Sequence, residues 1–339
     1  SKRCYFDPMD LSRRSDALGA TRCAVIGTGH IGRFHAQKYA GLAEAALVAV
    51  ADLNPEAAAR VAAECGCHAE TDYRKLLGNV DAVSIAVPTT RHFEVARAFL
   101  EAGVHALIEK PITSTVDEAR ILNSIAADKG VVLQVGHLER FNAALVEVSG
   151  RELVPLFIES HRLAPFRPRA TDVDVVLDLM IHDIDIVLDL VRSPISSIVA
   201  SGARVLSGTI DIANARIEFE NGSVCNLTAS RVSAKTERKM RIFADEAYIV
   251  VDFHNRGLRV HRLGTREAFP GIPEITNDER RFDQHDALRD QIAAFVDAVR
   301  NGSGVKVCGS QGQQALEAAL QIAELVRRSA LRLGRATRS

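Results

Sequence analysis

Arg22-Cys-Ala-Val-Ile26 runs straight into Gly27-Thr28-Gly29-His30-Ile31-Gly32, and a helical stretch follows through Gly41. A short apolar, β-branched run, a glycine turn and a helix make the opening of a βαβ unit. Gly27 permits the tight turn, Gly29 lets the backbone approach a pyrophosphate, and Gly32 lets the helix pack on the strand. The first helical N–H groups, at His30 and Ile31, then face the phosphates. A second strand, Ala46 to Ala51, ends at Asp52, about 20 residues past the last glycine, where an acid meets a ribose in this motif. The charge of Asp52 repels a 2′-phosphate, and no Arg follows immediately to compensate, so NAD is favoured over NADP.

Outward from this turn, strands are expected at 67–69, 81–87, 104–108 and 131–135, with helical segments between them. Continuous apolar strands alternating with helices imply a parallel sheet covered on both faces. After about Asn142 the texture changes. A strand at 154–161 and a helix from Asp174 precede longer alternating segments at 195–206, 210–220, 223–232, 238–244, 247–253 and 257–263, with Asn221-Gly222 as a hairpin signal. Residues 267–284, polar and Pro-bearing, read as a loop, and two helices near 286–300 and 313–333 close the chain. The expected organisation is an extension at 1–20, a dinucleotide-binding domain at 21–142 and an α+β domain at 143–334, whose last helices can pack back on the first domain. One broad, mainly antiparallel sheet with helices on a single face leaves the other open, which predicts a homodimer or homotetramer.

Forty-two basic and forty-three acidic side chains give a net charge of -1, so no broad field exists to hold nucleic acid or an anionic bilayer. No apolar run reaches the roughly 20 residues of a spanning helix. Six scattered cysteines in a long chain read as reduced thiols of a cytoplasmic protein, and Cys65-Gly-Cys67 lacks the partners of a metal site.

Two further stretches carry chemistry. Val87-Pro88-Thr89-Thr90-Arg91-His92 and Glu109-Lys110-Pro111 follow the fourth and fifth strands at the sheet's carboxyl edge, where open α/β sheets bind ligands. His92 either caps its helix or contacts the cofactor. A lysine at position 110 can hydrogen-bond a reacting hydroxyl and stabilise a developing alkoxide. Between Asp174 and Asp189 there are six polar residues, and on an α-helix Asp174, Asp178, His182, Asp185 and Asp189 share an arc of roughly 80°. Such a stripe of short carboxylates and one imidazole fits the wall of a polar cavity as well as a solvated face. Asp178 and His182, spaced i and i+4, suit a general base and its charge partner.

Taken together, these motifs resemble the Gfo/Idh/MocA oxidoreductases, NAD(P)-dependent enzymes acting mostly on sugars and cyclitols. The resemblance runs from about Arg22 to Gly334 and rests on the 27–32 turn with His35 three residues on, Pro88 to His92, Glu109-Lys110-Pro111 and Asp178-x-x-x-His182. It implies an α/β fold: an N-terminal Rossmann doubly wound parallel sheet and a C-terminal α+β domain with a large open-faced, mainly antiparallel sheet. It implies cofactor contacts from Gly27, Gly29, His30, Ile31, Gly32, Asp52, Pro88, Thr89, His92, Glu109 and Lys110. The resemblance also makes Lys110 the holder of the substrate hydroxyl, His182 the acid/base and Asp178 its partner, with Asp185 on a sugar hydroxyl.

Within the family, residues 136–142 and 159–169 are similar to the branch that oxidises C3 of UDP-N-acetylglucosamine, in the service of lipopolysaccharide biosynthesis. Arg162, Arg167 and Arg169 form a local basic cluster suited to a diphosphate, and Arg140 serves either substrate or domain contact. The competing expectations are an inositol or free-sugar dehydrogenase and a non-catalytic dinucleotide sensor.

Overall fold

The computed structural model describes residues 19–336, apart from 152, 167–172 and 246. Two compact units divide them: residues up to Leu138 with Asp286–Leu316, and Glu139–His285 with the residues from Glu317.

In the first unit, β1 (Thr21–Ile26), β2 (Ala45–Ala51), β3 (His68–Glu70), β4 (Ala82–Ile85), β5 (His105–Glu109) and β6 (Leu133–Gly136) form one parallel sheet in the order β3-β2-β1-β4-β5-β6. The order reverses between β1 and β4, and that switch point is where such sheets bind ligands. The crossover helices α1 (His30–Ala40), α2 (Pro55–Cys65), α3 (His92–Glu101) and α4 (Val116–Lys129) start and stop where local chemistry requires. Asn54 caps α2 with Pro55 behind it, Thr115 and Glu118 form a reciprocal capping box on α4, and Gly66 and Gly130 end their helices in the left-handed region. The core on one face joins Cys23 and Val25 of β1, Tyr39 of α1 and Val50 of β2 with Ile292, Phe295 and Val296 of α7 (Ala287–Asn301). The helix at 287–301 therefore belongs to the first unit, although some 150 residues of sequence separate it from Leu138.

The second unit begins with α5 (Ala143–Ser149) and β7 (Pro155–Leu163) and continues, after a π turn at Val176–Met180, with α6 (Ile181–Val191). Strands β8 (Ile195–Ala203), β9 (Ile212–Phe219), β10 (Val224–Ser230), β11 (Glu237–Ala244), β12 (Ala247–Asp252), β13 (Gly257–Phe269) and β14 (Ile272–Arg281) join β7 in an eight-stranded sheet. Its order is β14-β13-β12-β11-β7-β10-β9-β8, antiparallel throughout except for β7 beside β10. The final helix, α8 (Gly309–Ala336), begins in the first unit and ends in the second. Alternation sets the two faces of the sheet: Ile158, Cys225, Leu227, Met240, Ile242 and Ile249 are buried, while Phe157, Glu159, Lys239 and Arg241 lie on the opposite face. On that face Phe157, Phe243, Tyr248 and His261 form a ring-to-ring row across four strands, with centroids 5.8, 4.8 and 5.4 Å apart.

One expectation fails outright. Residues 267–284 are not a loop: β13 continues to Phe269 and β14 returns from Ile272 to Arg281 as a long hairpin. β14 is the outermost strand, and edges tolerate charge and proline because one row of backbone groups faces solvent. The features read as loop signals are those of an edge strand.

Candidate active site

The glycine turn is built by close approach. Gly27 has φ +92°, and a Cβ there would lie 2.6 Å from the Ala86 carbonyl oxygen. A Cβ on Gly32 would lie 1.9 Å from the Gly27 carbonyl oxygen, so no other residue fits. Gly29 instead faces open space, with nothing within 4 Å of an added Cβ. It stands at the start of α1 with no side chain capping the helix, which leaves its first N–H groups, including those of His30 and Ile31, available to an anion. A cavity of about 510 Å³ adjoins the turn, lined among others by Gly27, Gly29, Asp52, Leu53, Tyr73 and Pro88. The turn, the open space over Gly29 and the adjacent cavity fit a dinucleotide.

Asp52 closes β2 beside the turn. Its Oδ2 accepts the Thr28 backbone N–H at 2.7 Å and the Thr28 hydroxyl at 3.0 Å, and its Oδ1 accepts the Asn54 N–H at 2.9 Å. The carboxylate is thus held at the cavity wall in one orientation. Pro88 lines the same cavity, and Thr89 opens the short 3-10 turn that follows.

Glu109 and Lys110 end β5 at the carboxyl edge, and the Lys110–Pro111 peptide is cis. The Nε2 of His35, a fully buried residue of α1, lies 3.1 Å from Glu109 Oε1. The other ring nitrogen of His35 meets the Ser84 hydroxyl at 3.1 Å, and Ser84 also meets the Tyr39 hydroxyl at 2.9 Å. Burial alone would raise the Glu109 carboxyl, but the His35 hydrogen bond and charge, with the charges of Lys110 and His92, hold it below the usual carboxylate range.

In the second unit, Asp178 lies within the π turn and His182 is the second residue of α6, both partly exposed. Single π turns inside helices are frequent at functional sites. The residues around them are buried and paired. Arg162, 3% exposed, donates from Nε and one terminal nitrogen to both oxygens of Asp183 and from the other to Glu139 Oε1, each at 2.9 Å. Arg140, 5% exposed, lies 2.7 Å from Asp189 Oδ1 and 3.5 Å from Asp185 Oδ1, and Arg327 meets Asp174 at 3.0 Å.

Comparison with known proteins decides the lineage. The family model described as the oxidoreductase family, NAD-binding Rossmann fold, matches residues 21–137, and the Gfo/Idh/MocA C-terminal domain matches 157–250. The chain is 42% identical to the UDP-N-acetylglucosamine 3-dehydrogenase of Acidithiobacillus ferrooxidans, over 89% of this chain and 96% of that protein. The chain belongs to the Gfo/Idh/MocA oxidoreductase family. A solved structure of that A. ferrooxidans enzyme superposes with a TM-score of 0.85 at 40% identity, covering 92% of this chain and 99% of that one. The scyllo-inositol 2-dehydrogenase (NAD(+)) of Bacillus subtilis (strain 168) is 29% identical over 83% of this chain and 86% of that protein.

As a Gfo/Idh/MocA oxidoreductase, the protein is an NAD-dependent enzyme, and its two sheets are those of the expected α/β fold. Among the described residues, no helix is long and apolar enough to cross a membrane, and no cluster of three His, Cys, Asp or Glu is placed to hold a metal.

The structure gives four of the candidate site residues internal partners. His92 was a candidate cofactor contact, yet it is 1% exposed and its two ring nitrogens sit 2.9 Å from the carbonyl oxygens of Val87 and Pro111. It clasps the segment after β4 to the Lys110-Pro111 turn. Burial, partly offset by those carbonyls, holds its ring below the ordinary imidazole range. Arg162 does not offer a fork to a diphosphate, because all three of its nitrogens are already bonded to fixed carboxylates. Arg140 and Asp185 likewise face each other in the interior. Arg167 and Arg169 lie outside the described residues. Periodicity also misjudged the acidic run: Asp174, Asp185 and Asp189 are bound by arginines distant in sequence, which no helical wheel can supply. The bond from His35 to Glu109 was equally invisible, since nothing in the spacing of 35 and 109 brings them together.

Proposed function

We propose that this protein oxidises C3 of UDP-N-acetylglucosamine to the 3-keto sugar with NAD. The observation that carries the reading is the 42% identity to an enzyme of that specificity, sustained over nearly the whole of both chains. It is supported by the chain's retention of Lys110, Asp178 and His182 together, which a dinucleotide sensor does not need.

Each of the three has a role in this reading. Lys110 hydrogen-bonds the reacting hydroxyl and stabilises negative charge on its oxygen. His182 takes the hydroxyl proton, and Asp178 stabilises the imidazolium that results. NAD, when bound, supplies the hydride acceptor. The glycine turn, His30, Ile31, Asp52, Pro88, Thr89 and Glu109 orient the cofactor in this reading, and Arg167 and Arg169 are kept as candidate diphosphate ligands. A 3-keto sugar nucleotide is a natural acceptor for an aminotransferase, and in this reading the product feeds a cytoplasmic supply of amino sugars for lipopolysaccharide. The aromatic row on the free face of the eight-stranded sheet supports assembly as a homodimer or homotetramer.

The test is NADH formation with UDP-N-acetylglucosamine, its uronate and myo-inositol, each with a carbonyl trap to draw the equilibrium. Signal with the first substrate supports the reading. Signal with inositol alone replaces it with a polyol dehydrogenase, and NAD binding without any turnover replaces it with a sensor.

A further inference from the structure

Three elements of the first unit converge on one carboxylate. From α1 comes His35, with no exposed surface, its Nε2 3.1 Å from Glu109 Oε1. From β4 comes Ser84, which fixes the other ring nitrogen and is itself fixed by the buried Tyr39 hydroxyl. From β6 comes Gly136, where a Cβ would lie 2.6 Å from Glu109 Oε1 and 3.2 Å from the Glu109 Cα. The site at Gly136 is thus kept empty for the carboxylate. Lys110 follows Glu109 directly, and His92 ties the next residue, Pro111, to Val87. A buried histidine that meets a side chain of β4 at one ring nitrogen and lies 3.1 Å from a carboxylate of β5 at the other fixes those strands' relative register.

The geometry points to His35 as a positioning residue for hydride transfer: through Glu109 it locks the strand end bearing Lys110 to the helix that follows the glycine turn. The inference rests on the functional reading above, because it takes Lys110 as the residue that holds the reacting hydroxyl. His35 itself touches no substrate. Its contribution is the rigid spacing between the cofactor's cradle and the lysine, and a misplacement of about 1 Å at such a spacing costs up to about 10²-fold in turnover.

The two ring nitrogens can be tested separately. In His35→Gln the amide nitrogen replaces Nε2 and keeps the contact with Glu109, whereas in His35→Asn it replaces Nδ1 and keeps only Ser84. His35→Leu removes both. The measurements are kcat and KM for UDP-N-acetylglucosamine, the Kd of NADH by its fluorescence, and the emission maximum of bound NADH. The chain has no tryptophan to interfere. The Leu and Asn variants are expected to lose about 10- to 100-fold in kcat, with Kd and KM within about threefold of the wild type, and Gln to recover most of the loss. Equal behaviour of Asn and Gln, or a kcat loss matched by lost NADH affinity, overturns the proposal.

Should the His35 variants not fold, Gly136→Ala gives the same test with His35 intact, by displacing the carboxylate. Loss of kcat at unchanged Kd is expected, and wild-type kcat overturns the proposal. If the wild type turns over no sugar nucleotide, the functional reading fails and the emission of bound NADH decides. A shift in Asn and Leu but not in Gln upholds the positioning role, and no shift in any variant ends it.

Discussion

Arg162 and Asp183 form a two-pronged ion pair, both bonds at 2.9 Å, between residues that are 3% and 2% exposed. Asp183 immediately follows His182, so the pair holds α6 against β7 at the residue adjoining the proposed acid/base. Burial lowers the basicity of the guanidinium, but Asp183 and Glu139 outweigh it and leave Arg162 charged at every accessible pH. Arg162→Met leaves Asp183 and Glu139 unpaired, and breaking such a buried pair costs about 3–5 kcal/mol. Urea denaturation is expected to show that loss, and Arg162→Met/Asp183→Leu to lose less than the sum of the single variants. Strict additivity would show that the pair is not coupled.

His182→Asn should separate chemistry from binding. Turnover is expected to fall about 10²- to 10⁴-fold while NADH affinity, set by the other unit, stays within about twofold. Steady-state kinetics beside fluorescence titration read both quantities. A variant with near wild-type kcat removes His182 from the proposed role.

Asp52 should govern the choice between cofactors. Its carboxylate is oriented by Thr28 and Asn54 at the wall of the cavity, where a charged acceptor suits ribose hydroxyls and opposes a phosphate. In Asp52→Ala the loss of a charge-assisted hydrogen bond, about 1.5–3 kcal/mol, weakens NAD about 10- to 100-fold. NADP loses a repulsive neighbour at the same time. The ratio of the two Kd values is expected to move toward NADP by at least about tenfold, and an unchanged ratio contradicts this account of Asp52.

Asp211 predicts an acid-sensitive element. Its Oδ2 accepts the backbone N–H groups of Val205, Leu206 and Ser207 at 2.7–2.9 Å, and its Oδ1 accepts the Ser207 hydroxyl at 2.5 Å. Burial raises the carboxyl, but the Ser207 hydroxyl and the three N–H groups more than offset it and bring the pKa down to about 2. A depressed folded-state pKa contributes stability that is complete above the unfolded value, about 3.9, and is lost as pH falls through about 2. Asp211→Asn is therefore expected to lower the urea midpoint at neutral pH and to flatten its decline below about pH 4. Parallel curves for the two proteins would exclude Asp211 as the source.

Local chemistry was legible, and long-range pairing was not. The strand, the spacing of Gly27, Gly29 and Gly32, and Asp52 at the next strand end announce the first sheet because every signal lies within some thirty residues. The alternation of β9 through β12 is equally local. What failed needed partners distant in sequence. Asp185 and Asp189 could not be matched to Arg140, 45 and 49 residues away, so a set of internal ion pairs read as a cavity wall. The outer hairpin was missed because an edge strand carries the charge and proline of a loop, and only its neighbour in the sheet distinguishes the two. His92 reads the same on the surface or buried between two backbone carbonyls.

Reduced nicotinamide is followed when the purified protein meets NAD and UDP-N-acetylglucosamine, beside an equal concentration of myo-inositol, with a carbonyl trap in both. Oxidation at C3 of UDP-N-acetylglucosamine gives NADH and a trapped 3-keto sugar nucleotide from the first mixture, with kcat/KM at least about 10²-fold above the second. NADH from the inositol mixture alone would contradict it.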